Sequence, residues 1–521
     1  MTASADLRRE AAGTLLASFS GGALPPWVVR RAGTGLGGIC LYGSNHGVDV
    51  TTVASVLHDV RADLVVALDE EGGDVTRLEA TTGSSIPGNA ALGAVDDVDL
   101  TRSVAAAVGG MLCSVGIDLD LAPCADVNSL ASNPVIGVRS FGADPALVAR
   151  HTAAFVAGLQ SAGVAASAKH FPGHGAVVVD SHRSLPTVAA PLAVLRDREL
   201  APFRAAISAG VAAVMPGHLR VPALDPAGPA TVSRRIVSDL LRGELGFGGV
   251  VVTDALDMGG IGGPAAIPGN VVRALAAGAD LCCLGPDNDE GLVDACVDAV
   301  AAAVAAGDLG AERVSEAAAR TTALARGRER AGGATLVSPD RPPTPRHDLA
   351  RAGAVAAGRA VRVDGPLPPR IAGAHVVELD RPANIAAGPV PWGVADDLAE
   401  LDPTTTATRV AEGDDRAVDT ALSAARHRPL VVVVRDPHRR PAQAAALGAL
   451  LAARPDAVVV DMGWPSDLPA NAPGDRGTVA ARITTYGASR ASGRAVARLL
   501  LGMPVPVPAP SPTTAGRIAR G

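Results

Sequence analysis

What most restricts the fold of this chain is a rhythm. Between residues 15 and about 305, eight short β-rich apolar runs alternate with alanine-rich stretches. The runs are LLASFSG (15–21), GGICLYG (37–43), DLVVALD (63–69), IDLDLAP (117–123), VAASAKH (164–170), VAAVMPG (211–217), GVVVTDA (249–255) and ADLCCLG (279–285). Between them, segments such as 144–163 and 233–248 carry apolar residues at helical spacing. Eight strand–helix units in series match a (β/α)8 TIM-type barrel in both count and length. A doubly wound open sheet is the competing reading, because alternation alone does not distinguish closure from openness. A Pro- and Arg-rich stretch, SPDRPPTPRH (338–347), reads as a linker. Beyond it, strand candidates at 370–379, 429–436 and 456–463 alternate with Ala-rich helices and end in a helix over 491–502. The expected organisation is α/β throughout. It has a barrel over 1–335, a linker over 336–348, and a smaller C-terminal α/β sandwich domain over 349–521 that finishes in a proline-rich tail.

Composition removes several classes of function. Of the 521 residues, 48% are apolar and 19% charged, enough for two cores and against global disorder. A net charge of −7 leaves no basic footprint, so neither nucleic acid nor an anionic membrane surface is an expected partner. No run of about 18 apolar residues suggests a membrane span, and the N-terminal MTASADLRREAAGTLLASFSGG lacks the pattern of a secretory signal. The six cysteines show no CxxC spacing and fall in apolar runs, which suits reduced thiols in a cytoplasmic protein.

Active sites in barrels of this type form at the C-terminal ends of the strands. Polar residues there are few: Asp69 closes the third run, Lys169 and His170 the fifth, and Asp254 ends the seventh. Of 46 basic side chains, Lys169 alone is lysine, and an ammonium does not replace a guanidinium in a tight polar site. The next segment, KHFPGHGAVVVDSHRSLP (169–186), places three of the eleven histidines within thirteen residues. Its Pro172, Gly173 and Gly175 make it a loop, and they deny the helical geometry on which HxxxH metal sites rely. Neither a metal nor a cofactor is expected. Asp180 and His182 stand two apart, so the carboxylate can orient the imidazole and stabilise its charged form. Glycosidic cleavage needs one group to protonate the leaving oxygen and a second to attack the anomeric carbon or activate water. Asp254 on a strand end and His182 on a loop meet both needs. Asp69 and Lys169 then suit sugar hydroxyls, while Arg77 and Arg139 suit the N-acetyl group or serve as structural ion pairs.

These residues resemble those of the β-N-acetylglucosaminidases of glycoside hydrolase family 3, the NagZ type. The resemblance runs through most of 10–330, on LDEEGGDVTRL, LDLAPCADVN, NPVIGVRSFG, KHFPGHGAVVVDSHRSLP, VMPGH, LLRGELGFGGVVVTDALDM and AGADL. It implies Asp254 as nucleophile, His182 as acid/base oriented by Asp180, and Asp69, Arg77, Arg139, Lys169 and His170 as sugar contacts. The implied substrate is a small oligosaccharide with a terminal β-linked N-acetylglucosamine, from muropeptide recycling or chitin fragments. Departures include Glu70 where glutamine is usual, Asp74 where arginine is common, Val138 where aspartate often stands, and Cys124–Ala125 for an aliphatic–acidic pair. The C-terminal domain matches weakly, through GASRASGRAVARLLLG (487–502), and no site residue is carried over from it. Aromatics make up only 2% of the chain, which suits a pocket for a short chain end better than a stacking groove. Two other readings are phosphorolysis, in which phosphate replaces water, and a sugar-binding protein without catalysis.

Overall fold

Each of the eight runs contains a strand. They are β1 Leu15–Ala17, β2 Gly38–Leu41, β3 Val65–Leu68, β4 Leu119–Asp120, β5 Ala165–Phe171, β6 Ala213–Pro216, β7 Val250–Val251 and β8 Cys282–Cys283. Neighbours pair in parallel and in chain order, with β1 between β2 and β8. A parallel bridge between Val252 and Leu281 joins β7 to β8. The sheet therefore closes into a barrel, and the open doubly wound alternative does not hold. Residues two apart on a strand face the same way, and those pairs fill the interior: Val65 and Ala67, Leu119 and Leu121, Ala213 and Met215, Val250 and Val252, Leu281 and Cys283. The computed structural model describes residues 4–45, 47–330, 346–380, 385–465 and 481–504. The chain divides into one unit of 1–84, 88–349 and 382–391 and another of 85–87, 350–381 and 392–521.

Helices of the first unit start where the sequence supplies an acceptor. Asp97 accepts from the N–H groups of Asp99 and Leu100 ahead of the helix Val98–Ser114, and Asp144 accepts from Leu147 ahead of Pro145–Ser161. The stretch read as a helix at 233–248 is one, over Arg235–Glu244, wound with π-type hydrogen bonding.

The second unit carries β9 Arg362–Asp364, β10 His375–Leu379, β11 Thr406–Val410, β12 Leu430–Val434, β13 Val458–Asp461 and β14 Ala481–Thr484. Their order is β11-β10-β12-β13-β14-β9, with β9 alone antiparallel. Val431, Val433 and Val460 pack into one apolar layer and Val432, Val434 and Val459 into another, so both faces of the sheet are covered. Sequence patterning found β10, β12 and β13 and missed β9, β11 and β14. The first two are edge strands whose residues are mostly exposed, and a charged or Thr-rich edge carries no apolar run. Most of the expected linker over 336–348 lies outside the described residues, and its end, from Arg346, opens the helix Arg346–Ala360. The tail after Pro504 also lies outside them. Among the described residues no helix is long and apolar enough to cross a membrane.

One ion cluster ties the N-terminal end of the barrel together. The fully buried Asp280 accepts from the Val251 backbone N–H and from Arg242, Arg313 and Arg320. It thereby joins β7, the start of β8, the Arg235–Glu244 helix and the helix Ala311–Arg330. Removing one partner of a buried ion pair leaves uncompensated charge. Asp280→Ala should lower unfolding free energy by about 3–5 kcal/mol in denaturant titration. A loss below about 1 kcal/mol would show the cluster to be dispensable.

Candidate active site

The C-terminal strand ends surround a cavity of about 210 Å³. Lys169 reaches it from β5, on the same face as Ala165, which packs against the barrel interior. Its ammonium is buried between two carboxylates, 2.5 Å from Asp69 Oδ1 and 2.8 Å from Glu71 Oε1. Glu71 also takes the Arg139 guanidinium in a two-bond fork, at 2.9 Å from Nε and 2.7 Å from Nη2. Burial would raise the Glu71 carboxyl, but Arg139 and Lys169 hold it well below the usual carboxylate range. Burial likewise opposes charge on Lys169, and Asp69 and Glu71 overcome it, so the ammonium keeps its proton. Arg77 donates to the carbonyls of Ala386 and Ala387 at 2.8 and 3.4 Å, with Asp69 Oδ2 3.8 Å away. The turn that returns Arg77 to the rim is shaped by Glu70, which accepts from the Arg77 and Leu78 N–H groups at 2.8 and 3.1 Å. Burial pushes the Glu70 carboxyl up to about 7.

The register of β5 against β6 shifts between Lys169 and Phe171. Such an irregularity re-aims a side chain, and both Lys169 and His170 line the cavity although they are adjacent. His170 Nδ1 lies 2.7 Å from Asp126 Oδ2, while Asp126 also accepts from the backbone N–H of His174 at 2.6 Å and from Cys124 Sγ at 3.2 Å. Burial acts to raise Asp126, but His170 and His174 bring it down to about 2. Cys124, Asp126 and His170 have their donor atoms within 4.8 Å of one another, and the hydrogen bonds centred on Asp126 account for that grouping.

Asp254 follows β7 by three residues and lines the same cavity. Its Oδ1 accepts from the Ala255 N–H at 2.9 Å. Behind it the fully buried His218 spans Thr231 Oγ1 at 2.7 Å and the Ala255 carbonyl at 2.8 Å. Burial is the largest influence on Asp254 and raises it. The imidazoles of His218, His170 and His182, with the Ala255 N–H, outweigh it and leave the carboxyl below its ordinary value. Across the cavity, His182 has its Nδ1 2.7 Å from Asp180 Oδ1, which also accepts the His182 N–H at 2.9 Å. A carboxylate on Nδ1 keeps the proton there in the neutral ring and leaves Nε2 for the cavity. Burial raises the half-buried Asp180, and its hydrogen bonds to His182 bring it below the usual value.

Seven of the eight residues singled out from sequence line this cavity: Asp69, Arg77, Arg139, Lys169, His170, His182 and Asp254. The eighth, Asp180, stands behind His182. Arg139 is both a cavity residue and a structural ion pair. Sequence reasoning missed Glu71, Asp126, His174 and His218. Of these, His174 carries a signal, standing in the histidine cluster that supplies His170 and His182. Ile385 and Ala386 also line the cavity, and nothing in the sequence marks them.

A closed parallel barrel that gathers carboxylates, cations and imidazoles into one cavity at its C-terminal rim belongs to the class of (β/α)8 enzymes. Residues 33–324, more than half of the chain, match the glycosyl hydrolase family 3 N-terminal domain, and the chain belongs to that family. It is similar to Beta-hexosaminidase A of Pseudoalteromonas piscicida, at 42% identity over 214 residues that span 38% of this chain and 36% of that protein. It is also similar to Beta-hexosaminidase LpqI of Mycobacterium tuberculosis (strain ATCC 25618 / H37Rv), at 36% identity over 300 residues, 56% of this chain and 75% of that one. Among solved structures, a glycoside hydrolase family 3 beta-N-acetylglucosaminidase from Paenibacillus sp. str. FPU-7 superposes with a TM-score of 0.83 at 32% identity. That likeness covers 96% of this chain and 98% of the other.

Glu70 yields a pH-dependent expectation. Its folded value of about 7 lies above the ordinary 4.5. A raised acid stabilises the fold fully below the lower value and loses that contribution as pH rises through the higher one. Glu70→Gln keeps an oxygen for the Arg77 and Leu78 N–H groups but carries no charge. It should therefore match the parent near pH 4 and exceed it by about 1–3 kcal/mol at pH 8. Thermal melts at the two pH values decide this, and equal or lower stability of the variant at pH 8 would contradict it.

Proposed function

We propose that this chain is a retaining β-N-acetylhexosaminidase that removes terminal β-linked N-acetylglucosamine from short oligosaccharides. The observation that carries the reading is one cavity holding both an ionised, backbone-anchored carboxylate, Asp254, and an imidazole, His182, with its far nitrogen on a carboxylate. In the first step an Asp254 oxygen forms a bond to the anomeric carbon as the bond to the leaving oxygen breaks. The imidazolium form of His182, stabilised by Asp180, gives its Nε2 proton to that oxygen and becomes neutral. In the second step water attacks the same carbon, His182 takes the proton, and Asp254 leaves as carboxylate. Asp69, Lys169, Arg77, Arg139 and His170 bind the hydroxyls and acetamido group of the terminal sugar.

A cavity of 210 Å³ is small beside the roughly 300–1,000 Å³ of sites for drug-sized ligands, and it suits a single sugar unit at a chain end. Muropeptide fragments and chitooligosaccharides both present such an end. The names of the relatives support the sugar: the two proteins are called beta-hexosaminidases and the Paenibacillus structure a beta-N-acetylglucosaminidase. All six cysteines are free, which suits a reducing cytoplasmic setting for wall-fragment recycling.

On 4-nitrophenyl N-acetyl-β-glucosaminide, Asp254→Ala should lower kcat/KM by about 10³-fold or more. His182→Ala should cost more on chitobiose than on this substrate, whose leaving group needs little protonation. The first-formed sugar, followed by NMR, should be the β anomer. An α anomer, or an Asp254→Ala variant keeping a tenth of the parent rate, would overturn the assignment.

A further inference from the structure

The segment that carries Asp180 and His182 is fastened on both sides by contacts that the two catalytic steps do not use. Ser181, between them, is 3% exposed. Its hydroxyl lies 3.1 Å from His174 Nε2, and its carbonyl accepts from the Gly260 N–H at 3.2 Å. The His182 carbonyl accepts from the Gly259 N–H at 3.3 Å. Gly259 and Gly260 follow Asp254 by five and six residues on the same loop. The approach is close enough that a Cβ at Gly260 would stand 2.8 Å from the Ser181 carbonyl oxygen, and one at Gly259 2.8 Å from that of Arg183. The backbone that presents the carboxylate thus also grips the backbone that presents the imidazole.

The other side of the grip is equally fixed. His174 is buried, its N–H is held by Asp126 at 2.6 Å, and its carbonyl takes the Asn133 side-chain amide at 2.9 Å. Its Nδ1 has no hydrogen-bond partner among the described residues, so the Ser181 hydroxyl is the ring's one such partner there. Burial pushes the His174 imidazole down to about 4, so the ring is neutral across the ordinary working range.

We infer that Ser181 is a positioning residue for His182: with its hydroxyl on His174 and its carbonyl on the Gly260 N–H, it holds the imidazole where its proton can reach the leaving oxygen. The inference rests on the acid/base reading of His182. A displacement of about 1 Å at a reacting group can cost about 10²-fold in rate, so a single hydroxyl that fixes the segment can matter to proton transfer while mattering little to the fold.

The test compares kcat/KM on chitobiose, whose leaving alkoxide needs a proton, with kcat/KM on 4-nitrophenyl N-acetyl-β-glucosaminide, whose leaving group does not. Ser181→Ala should lose about tenfold on chitobiose and a clearly smaller factor on the nitrophenyl glycoside. The same change in a His182→Ala background should cost nothing further, since the group it positions is gone. His174→Gln, which retains a hydrogen-bonding amide, should keep more chitobiose activity than His174→Ala. Equal losses on both substrates, no loss on either, or a cost that persists without His182 would overturn the inference. The two readings fail separately. If His182→Ala does not itself discriminate between the substrates, the acid/base assignment falls and takes this one with it. If His182→Ala discriminates and Ser181→Ala does not, only the positioning role falls.

Discussion

Asp126 has no exposed surface, yet its carboxylate is held ionised by the donors aimed at it: the His170 ring, the His170 and His174 backbone N–H groups, and the Cys124 thiol. Burying a charge is costly unless hydrogen bonds replace the lost water. Apart from Cys124, two residues before Asp126, the donors come from the last residues of β5 and the loop that follows, so satisfying the charge and shaping the loop are one event. His170 is turned toward the cavity by the same bond, and His174 is brought under Ser181. The loop then lies so near 127–128 that a Cβ at Gly175 would fall 1.7 Å from the Val127 carbonyl oxygen, which only glycine avoids.

A second buried carboxylate, Glu71, does for the cations what Asp126 does for the imidazoles. It binds the Arg139 fork and the Lys169 ammonium together. The cavity consequently has two electrostatic halves. On one, Lys169 and Arg139 are paired with Asp69 and Glu71. On the other, Asp254 and the Asp180–His182 pair combine a carboxylate held below its ordinary value with an imidazole whose Nδ1 rests on a second carboxylate.

The fold and the rim of the site were legible in the sequence for different reasons. Eight apolar runs marked eight strands because a closed parallel sheet buries both of its faces. Asp69, Lys169 and Asp254 stood out because they end runs that are otherwise apolar, and His170 and His182 because histidines cluster between loop-forming residues. Glu71, Asp126 and His218 were missed because a buried partner reveals itself only through the group it pairs with, and that pairing is set by the fold. Glu71 and Lys169 are 98 residues apart, numbers that no local pattern connects. The segment with Ile385 and Ala386 lies still farther along the chain yet belongs with the barrel. In the second unit, β9 and β11 escaped notice because an edge strand needs no apolar alternation.

The proposed mechanism requires covalent chemistry at one oxygen of Asp254. A fluorinated N-acetylglucosaminyl donor with an activated leaving group slows the second step more than the first, so the sugar accumulates on its nucleophile. Peptide mass spectrometry of the trapped enzyme should find the added sugar mass on Asp254, in the segment following β7. A label on Asp69, Asp257 or another carboxylate would contradict the account, as would steady turnover of the donor with no labelled peptide.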